Sequence, residues 1–231
     1  LPRVAAIGDV HGEIHKLRQL LGVLEKELAP EDTLLFIGDY IDRGPDSKGV
    51  VDLVLSLREH RNVVALRGNH EQMLLDAYRY SQPEQGALKP DWEFASNWFS
   101  NGSKATLESY GEAARWWQRI PEEHWAFFRS TLIEYKVGNY HFVHAGMLPK
   151  GVRWDMPEYP PKLWIREEFL ESTQDFGAIV VFGHTPMKRP LVMGNKIGID
   201  TGATYGGPLT AIVVDPEERF CQDRLQIFQA Q

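Results

Sequence analysis

Three short apolar runs each end in a glycine followed by a small polar residue, and they recur at a constant interval. Val4 to Ile7 stops at Gly8 and Asp9, Leu34 to Ile37 stops at Gly38 and Asp39, and Val63 to Leu66 passes through Arg67 to Gly68 and Asn69. The polar residues stand at 9, 39 and 69, a step of 30 residues, which is the length of one strand-helix-strand unit. Between the runs, Ile14, Leu17, Leu21, Leu24 and Leu28, and then Val50, Leu53, Val54 and Leu57, sit at helical spacing. Three parallel strands joined by packed helices would carry Asp9, Asp39 and Asn69 out along one edge of a sheet. In an open α/β sheet, ligands bind beyond the carboxyl ends of the strands.

The rest of the chain changes character twice. From about Met73 to Trp125, Trp, Gln, Ser and charged residues dominate, and Pro83, Pro90 and Pro121 interrupt short helical patterns. This reads as a helical insertion. Five of the seven tryptophans fall in it, and large aromatics of this kind serve chiefly to fill a small helical core. After Leu132 apolar strand-like runs return at Tyr140 to Val143, Ile179 to Phe182, Lys196 to Ile199, Leu209 to Val214 and Leu225 to Phe228. With no long helical pattern between them, these runs suggest antiparallel pairing. The expectation is an α/β (α+β) chain with two β-sheets facing each other, helices outside, and one domain over residues 1–231, since no shift of composition marks a boundary.

Composition narrows the function classes. The apolar runs, such as Ala178 to Phe182 and Ala211 to Val214, are far short of the ~18 residues a membrane span requires, so the chain reads as soluble and cytoplasmic, with no membrane partner. The single cysteine, Cys221, excludes an intrachain disulfide and a thiolate metal cluster, and no arginine follows it at the spacing a cysteine-based phosphatase loop needs. A formal charge of −7 argues against nucleic acid as a partner, because binding it takes many phosphate contacts.

The chemistry concentrates at five strand ends: Asp9 and His11 in GDVHG, Asp39, Asp42 and Arg43 in GDYIDRG, Asn69 and His70 in GNHE, His144 in HAG, and His184 in GHT. Glycine beside each polar residue lets the backbone turn sharply or approach an ion closely. Oxygen and imidazole donors without thiolates suit manganese, iron, zinc or similar divalent ions, and a carboxylate between two donor sets can bridge two of them. His15, His60, His124 and His141 lie in no such turn and read as structural. His141 should point away from the side of its strand that carries His144, since strand side chains alternate.

Taken together, GDVHG, GDYIDRG and GNHE at this spacing, followed by HAG, WIR and GHT, resemble the calcineurin-like metallophosphoesterases, and within them the bacterial and phage-type branch of the PPP Ser/Thr protein phosphatases. The resemblance implies a four-layer sandwich of two mixed sheets flanked by helices, with a dinuclear metal centre. It makes Asp9, His11 and Asp39 the ligands of one ion, and Asp39, Asn69, His144 and His184 those of a second, most naturally Mn²⁺ with Fe or Zn as alternatives. It makes His70 the general acid oriented by Asp42, and Arg43 and Arg166 the phosphate-holding residues. Forked guanidinium donors suit a dianionic phosphate, and an imidazole kept cationic by a carboxylate can protonate an alkoxide.

The implied reaction is hydrolysis of phosphoserine, phosphothreonine and, by extension, phosphotyrosine, through direct attack of a metal-bound hydroxide on phosphorus. Partners are then a phosphorylated protein or a small phosphoester, with a monomer expected. The alternative is a symmetrical bis(5′-nucleosyl)-tetraphosphatase or another nucleotide or small-molecule phosphoesterase. Such a tetraphosphatase tends to carry alanine at the place of Asp42 and GNHD where this chain has GNHE. A fold retained without catalysis would have lost a ligand or the acid, and neither is missing. Asp200 in IDTGA reads as a carboxylate that binds loop amides, Glu71 as a helix-starting charge that suits the helix dipole, and Lys188 and Arg189 as solvated loop charges.

Overall fold

The computed structural model describes residues 1–81 and 92–231, and the side chains of residues 92–95 fall outside that description. β1 (Val4–Ile7), β2 (Thr33–Phe36) and β3 (Asn62–Ala65) pair in parallel, linked by α1 (Ile14–Leu24) and α2 (Ser47–Leu57). α1 turns Ile14, Leu17, Leu20 and Leu24 into the core. α2 starts at Asp46, whose carboxylate accepts the Gly49 amide at 2.8 Å and so satisfies one of the donors a helix start leaves open. The remaining strands are β4 (Glu134–Val137), β5 (Tyr140–Val143), β6 (Ile179–Phe182), β7 (Leu191–Val192), β8 (Lys196–Gly198), β9 (Leu209–Val214) and β10 (Gln226–Ala230). One sheet runs β10-β9-β1-β2-β3 and the other β4-β5-β6-β8-β7, and both are mixed.

Strand alternation separates the layers. Val4, Ala6, Leu35, Ile37, Ile212 and Val214 of the first sheet meet Tyr140, Phe142, Val181 and Ile197 of the second. The opposite faces pack on helices: Ala5, Ile7, Leu34 and Phe36 with α1 and α2, and Val143, Val180 and Phe182 with Ile165 and Phe169. A strand buried on both sides reads as a continuous apolar run, which is why these segments stand out in the sequence.

Antiparallel pairing holds for β4-β5, β7-β8, β9-β10 and β1-β9. It fails for β5-β6 and β6-β8, which are parallel. The crossover from β5 to β6 carries α7 (Pro161–Trp164) and α8 (Glu167–Leu170), each a single turn. Elements that short leave no helical stripe in the sequence. β4 and β7 add to the strands expected from sequence: β4 is a half-exposed edge and β7 has only two residues, so neither forms a long apolar run.

The expected helical insertion consists of α3 (Asn69–Ser81), α4 (Trp92–Ser100), α5 (Ser103–Tyr110), a 3-10 turn at Trp116–Arg119 and α6 (Glu122–Ser130). It therefore begins inside the GNHE motif rather than at Met73. Pro83 and Pro90 lie outside the described residues, and Pro121 stands immediately before α6. Trp98, Trp116 and Trp125 are buried, with ring centroids 4.6 Å apart for Trp98 and Trp116 and 6.2 Å for Trp116 and Trp125. Core filling is thus a real part of what these tryptophans do.

Candidate active site

Among the described residues, five that are not glycine have positive φ: His11 (45°), Asp39 (52°), Asp42 (71°), Arg43 (70°) and His184 (66°). All five belong to the motifs at the strand ends. Such a conformation costs about 1–3 kcal/mol per residue and persists only where surrounding contacts enforce it. The contacts are present. The amides of Val10 and His11 donate to the Asp39 carbonyl at 3.1 and 2.8 Å, and the His184 amide donates to both Asp9 carboxylate oxygens at 3.2 and 3.0 Å. Glycine is required where the carboxylates approach the chain closely: a Cβ on Gly68 would collide with Asp39 Oδ1, and one on Gly183 with Asp9 Oδ1.

Glu71 does more than start a helix. Its side chain is fully buried and accepts the amides of Asp39 at 2.9 Å, Tyr40 at 2.8 Å and Gly68 at 2.9 Å. It thereby ties the β2 turn to the β3 turn. Burial, and after it the charge of Asp39, pushes the Glu71 carboxyl up to about 8 against those amides.

Asp39 is the node of the cluster. Its Oδ2 lies 3.3 Å from His11 Nε2, 3.5 Å from His144 Nε2 and 4.0 Å from His70 Nε2. Burial favours the neutral acid, but the surrounding imidazoles of His144, His70 and His11 hold its carboxyl well below the usual range. Asn69 Oδ1 sits 2.9 Å from both His144 Nε2 and His184 Nδ1.

The imidazole tautomers test whether these residues fit a metal. The Nδ1–H groups of His11 and His144 donate to the carbonyls of Ile41 and Ile37 at 2.8 and 3.1 Å, so in the neutral ring the lone pair is on Nε2. At His11 burial opposes the charged form, but the hydrogen bond and charge of Asp39 outweigh it and raise the pKa. Burial pushes His144 down to about 4, so this ring is neutral near pH 7. The His144 lone pair therefore faces oxygens of Asp39 and Asn69 with no proton between them. His184 is held well below its usual value by burial, His144 and Arg166, and its Nε2 is buried without a partner. Converging electron-pair donors of this kind suit a cation. Candidate donor atoms of Asp39, His144 and His184 lie within 4.8 Å of one another, as do those of His11, Asp39 and His70.

Asp9 stands outside both trios, with its carboxylate turned onto the His184 amide. Burial, then the charges of Asp200 and Asp39, push Asp9 well above the usual carboxylate range. That crowding of carboxylates is excess negative charge a cation would relieve.

His70 donates from Nδ1 to Asp42 Oδ2 at 2.7 Å, and its own Nε2 is buried without a partner. Asp42 is wholly buried. Arg43 is exposed at the rim, with Nη1 2.8 Å from His11 Nε2 and its guanidinium 5.7 Å from the ring centre of Tyr205. Arg166 precedes α8 and donates from Nη1 to Thr185 Oγ1, next to His184, at 3.2 Å.

The residues read as structural are indeed engaged elsewhere or exposed. His124 bonds Tyr110 and Asp52, His141 bonds Glu134 on the neighbouring strand, and His15 and His60 are exposed, as are Lys188 and Arg189. Asp200 accepts the Gly202 amide at 2.9 Å. Sequence reasoning missed Trp98 and Thr106, which both donate to the Asp42 carboxylate. Nothing local in α4 or α5 signals those bonds.

Two mixed sheets whose strand ends bring together buried carboxylate, amide and imidazole donors, with arginines beside them, form a site suited to a cation and an anionic ligand. The calcineurin-like phosphoesterase model matches residues 2–213, and the chain belongs to that family. It is 32% identical over 222 residues to a serine/threonine-protein phosphatase 1 of Salmonella typhimurium, covering 90% of this chain and 89% of the relative. It is 30% identical over 225 residues to an asymmetrical bis(5′-nucleosyl)-tetraphosphatase PrpE of Halalkalibacterium halodurans, covering 89% and 87%. In fold it is similar to a protein provisionally assigned as a diadenosine tetraphosphatase, at TM-score 0.65 and 21% identity over 100% of this chain and 96% of the other. A cold-active protein-tyrosine phosphatase of Shewanella has the same fold at TM-score 0.58 and 17% identity, over 100% and 81%.

Proposed function

We propose that this chain is a metal-dependent phosphomonoesterase acting on phosphoserine and phosphothreonine in proteins, with phosphotyrosine as a further substrate, and that residues 1–231 form its single catalytic domain. Asp9, His11 and Asp39 would hold one divalent ion, and Asp39, Asn69, His144 and His184 a second. Mn²⁺ suits this nitrogen and oxygen set, with Fe or Zn as alternatives. When bound, such ions supply Lewis-acid charge to the phosphate and activate the attacking water. Arg43 and Arg166 would grip the phosphate oxygens from the rim with forked donors.

The observation that carries the reading is the pair formed by Asp42 and His70. A buried carboxylate at 2.7 Å fixes Nδ1 of His70 as a donor and sets the plane of the ring, so the buried, unpartnered Nε2 is the atom placed to hand a proton to the departing oxygen. An alkoxide leaving from phosphoserine needs that proton. A nucleotide leaving from a dinucleoside polyphosphate departs as a weakly basic phosphate and needs it far less. The same Nε2 lies in the trio with His11 and Asp39, and the metal content of His70→Asn separates an acid from a ligand.

A second reading, asymmetrical cleavage of a dinucleoside tetraphosphate, draws support from the name of the relative that is 30% identical. The symmetrical cleavage expected from sequence stands beside it, and the products formed from the dinucleotide, two diphosphates or a monophosphate and a triphosphate, tell the two apart. Turnover of the Mn²⁺-loaded protein on phosphoserine and phosphothreonine peptides, diadenosine tetraphosphate and p-nitrophenyl phosphate tests both. Preference for the peptides by kcat/KM is expected, and preference for the dinucleotide would replace the first reading with the second.

A further inference from the structure

The carboxylate of Asp42 is held from a direction that no strand end supplies. Trp98 of α4 donates its indole N–H to both oxygens, at 3.2 Å to Oδ1 and 3.0 Å to Oδ2. Thr106 of α5 donates its hydroxyl to Oδ1 at 2.6 Å and accepts the Asp42 amide at 2.9 Å. Ser47 accepts the same amide at 3.0 Å, and the turn between α4 and α5 accepts the Arg43 amide on the Gly102 carbonyl at 3.1 Å. Trp98 is 0% exposed and Thr106 1%, so water cannot replace either donor. The two consecutive left-handed residues, Asp42 and Arg43, are thus clamped by the insertion.

We propose that Trp98 and Thr106 are positioning residues for catalysis, acting through Asp42 on the aim of the His70 imidazole. The inference rests on the reading of His70 as the proton donor. A carboxylate can rotate about its Cβ–Cγ bond. An indole N–H shared between its two oxygens, together with a hydroxyl on Oδ1, leaves one plane in which Oδ2 faces His70 Nδ1. Without the indole donor the carboxylate loses that plane, and the proton on Nε2 loses its direction toward the leaving oxygen. Trp98 also packs on Trp116, which makes no hydrogen bond to Asp42, so packing and positioning can be separated by experiment.

The test compares phenyl phosphate with p-nitrophenyl phosphate, whose leaving groups differ in basicity but not in shape at the phosphate. Trp98→Phe keeps an aromatic ring and removes the N–H. Thr106→Val keeps the volume and removes the hydroxyl, and Thr106→Ser returns it. His70→Asn is the reference for loss of the proton donor and Trp116→Phe the control for packing. Metal content and Tm are measured for each.

Trp98→Phe and Thr106→Val are expected to lose kcat on phenyl phosphate about 10-fold more than on p-nitrophenyl phosphate, a fraction of what loss of a general acid costs, with metal content and KM unchanged. Thr106→Ser is expected to recover most of that loss, and Trp116→Phe to lower Tm while affecting both substrates equally. Equal losses on the two substrates in Trp98→Phe and Thr106→Val, alongside a selective loss in His70→Asn, would overturn the positioning role and leave His70 as the acid. Equal losses in His70→Asn itself would overturn the acid and the positioning role together. Should Trp98→Phe fail to fold, the Thr106 pair decides on the same readout.

Discussion

Asp9, Asp39, His144 and His184 leave the ends of strands whose positions are set by hydrogen-bonded register in two sheets, whereas Trp98 and Thr106 reach the same site from helices held by side-chain packing. The strand ends bring the groups suited to metal and phosphate. The insertion brings donors that meet one of those groups, Asp42, and orient it. Ladder pairing fixes a Cα position closely for every residue of a strand, so a polar residue placed just past a strand lands at the sheet edge whatever else the chain does. A helix packed through Trp98, Trp116 and Trp125 has no such guarantee, and its contribution depends on the whole aromatic layer fitting.

The strongest way to break this contrast is to attack the node of the strand-end cluster. Asp39→Asn is expected to lose bound metal and to lower turnover of p-nitrophenyl phosphate by more than the ~10–100-fold typical of a group that merely supports a ligand. Two tightly held ions and near-normal turnover in that variant would remove Asp39 from the centre. In the wild type, chelation should abolish turnover and Mn²⁺ restore it better than Mg²⁺, because imidazole donors favour transition metals over a strongly hydrated ion.

At the seam between the two regions, His70→Asn should keep its metals and lose ~10²- to 10⁴-fold on a phosphoserine peptide, with a much smaller loss on p-nitrophenyl phosphate. Loss of metal instead would make His70 a ligand. Arg166→Ala should raise KM and weaken inhibition by phosphate about 10-fold, since a charged donor touches phosphate in both ground and transition states. Unchanged phosphate inhibition would remove Arg166 from the site.

The smallest effect concerns the link between the insertion and α2. His124 on α6 joins Tyr110 of α5, at 2.7 Å, to Asp52 of α2, at 3.0 Å. Burial holds its pKa below 6.5 despite the pull of Asp52. The unfolded chain therefore binds the proton more readily, and stability falls as pH drops below 6.5 toward the folded value. His124→Gln should cost about 1–2 kcal/mol near neutral pH through two weakened hydrogen bonds, read as a lower Tm. The gap to wild type should narrow on acidification, because glutamine has no proton to gain. A gap independent of pH would show that His124 does not titrate with folding.

Asp9, Asp39 and Asn69 are legible because each stands past an apolar run at a Gly-Asp or Gly-Asn turn, whereas His144 and His184 stand out only through HAG and GHT after their runs, and Arg166, between two single-turn helices, only through the family resemblance. Pairing direction in the second sheet was not legible, because α7 and α8 are too short to leave a periodic pattern. Glu71 reads as a helix start and lies in the first turn of α3, but its four amide partners come from two turns that meet only in the folded chain. Trp98 looked like core and is core, and its N–H on Asp42 spans 56 positions of sequence.

What the sequence determined by itself is local: strands where β-branched and apolar residues run together, helices where the period is 3.6, and chemistry where a polar group follows a strand with glycine beside it. The tertiary structure alone decided which lone pairs face one another around Asp39, which non-glycine residues of the strand-end motifs are forced into the left-handed region, and which distant donors seize Asp42. Those outcomes depend on the separation and angle between elements that are far apart along the chain. Backbone propensity and side-chain periodicity carry no information about either, whereas packing of the two sheets and the aromatic layer sets both.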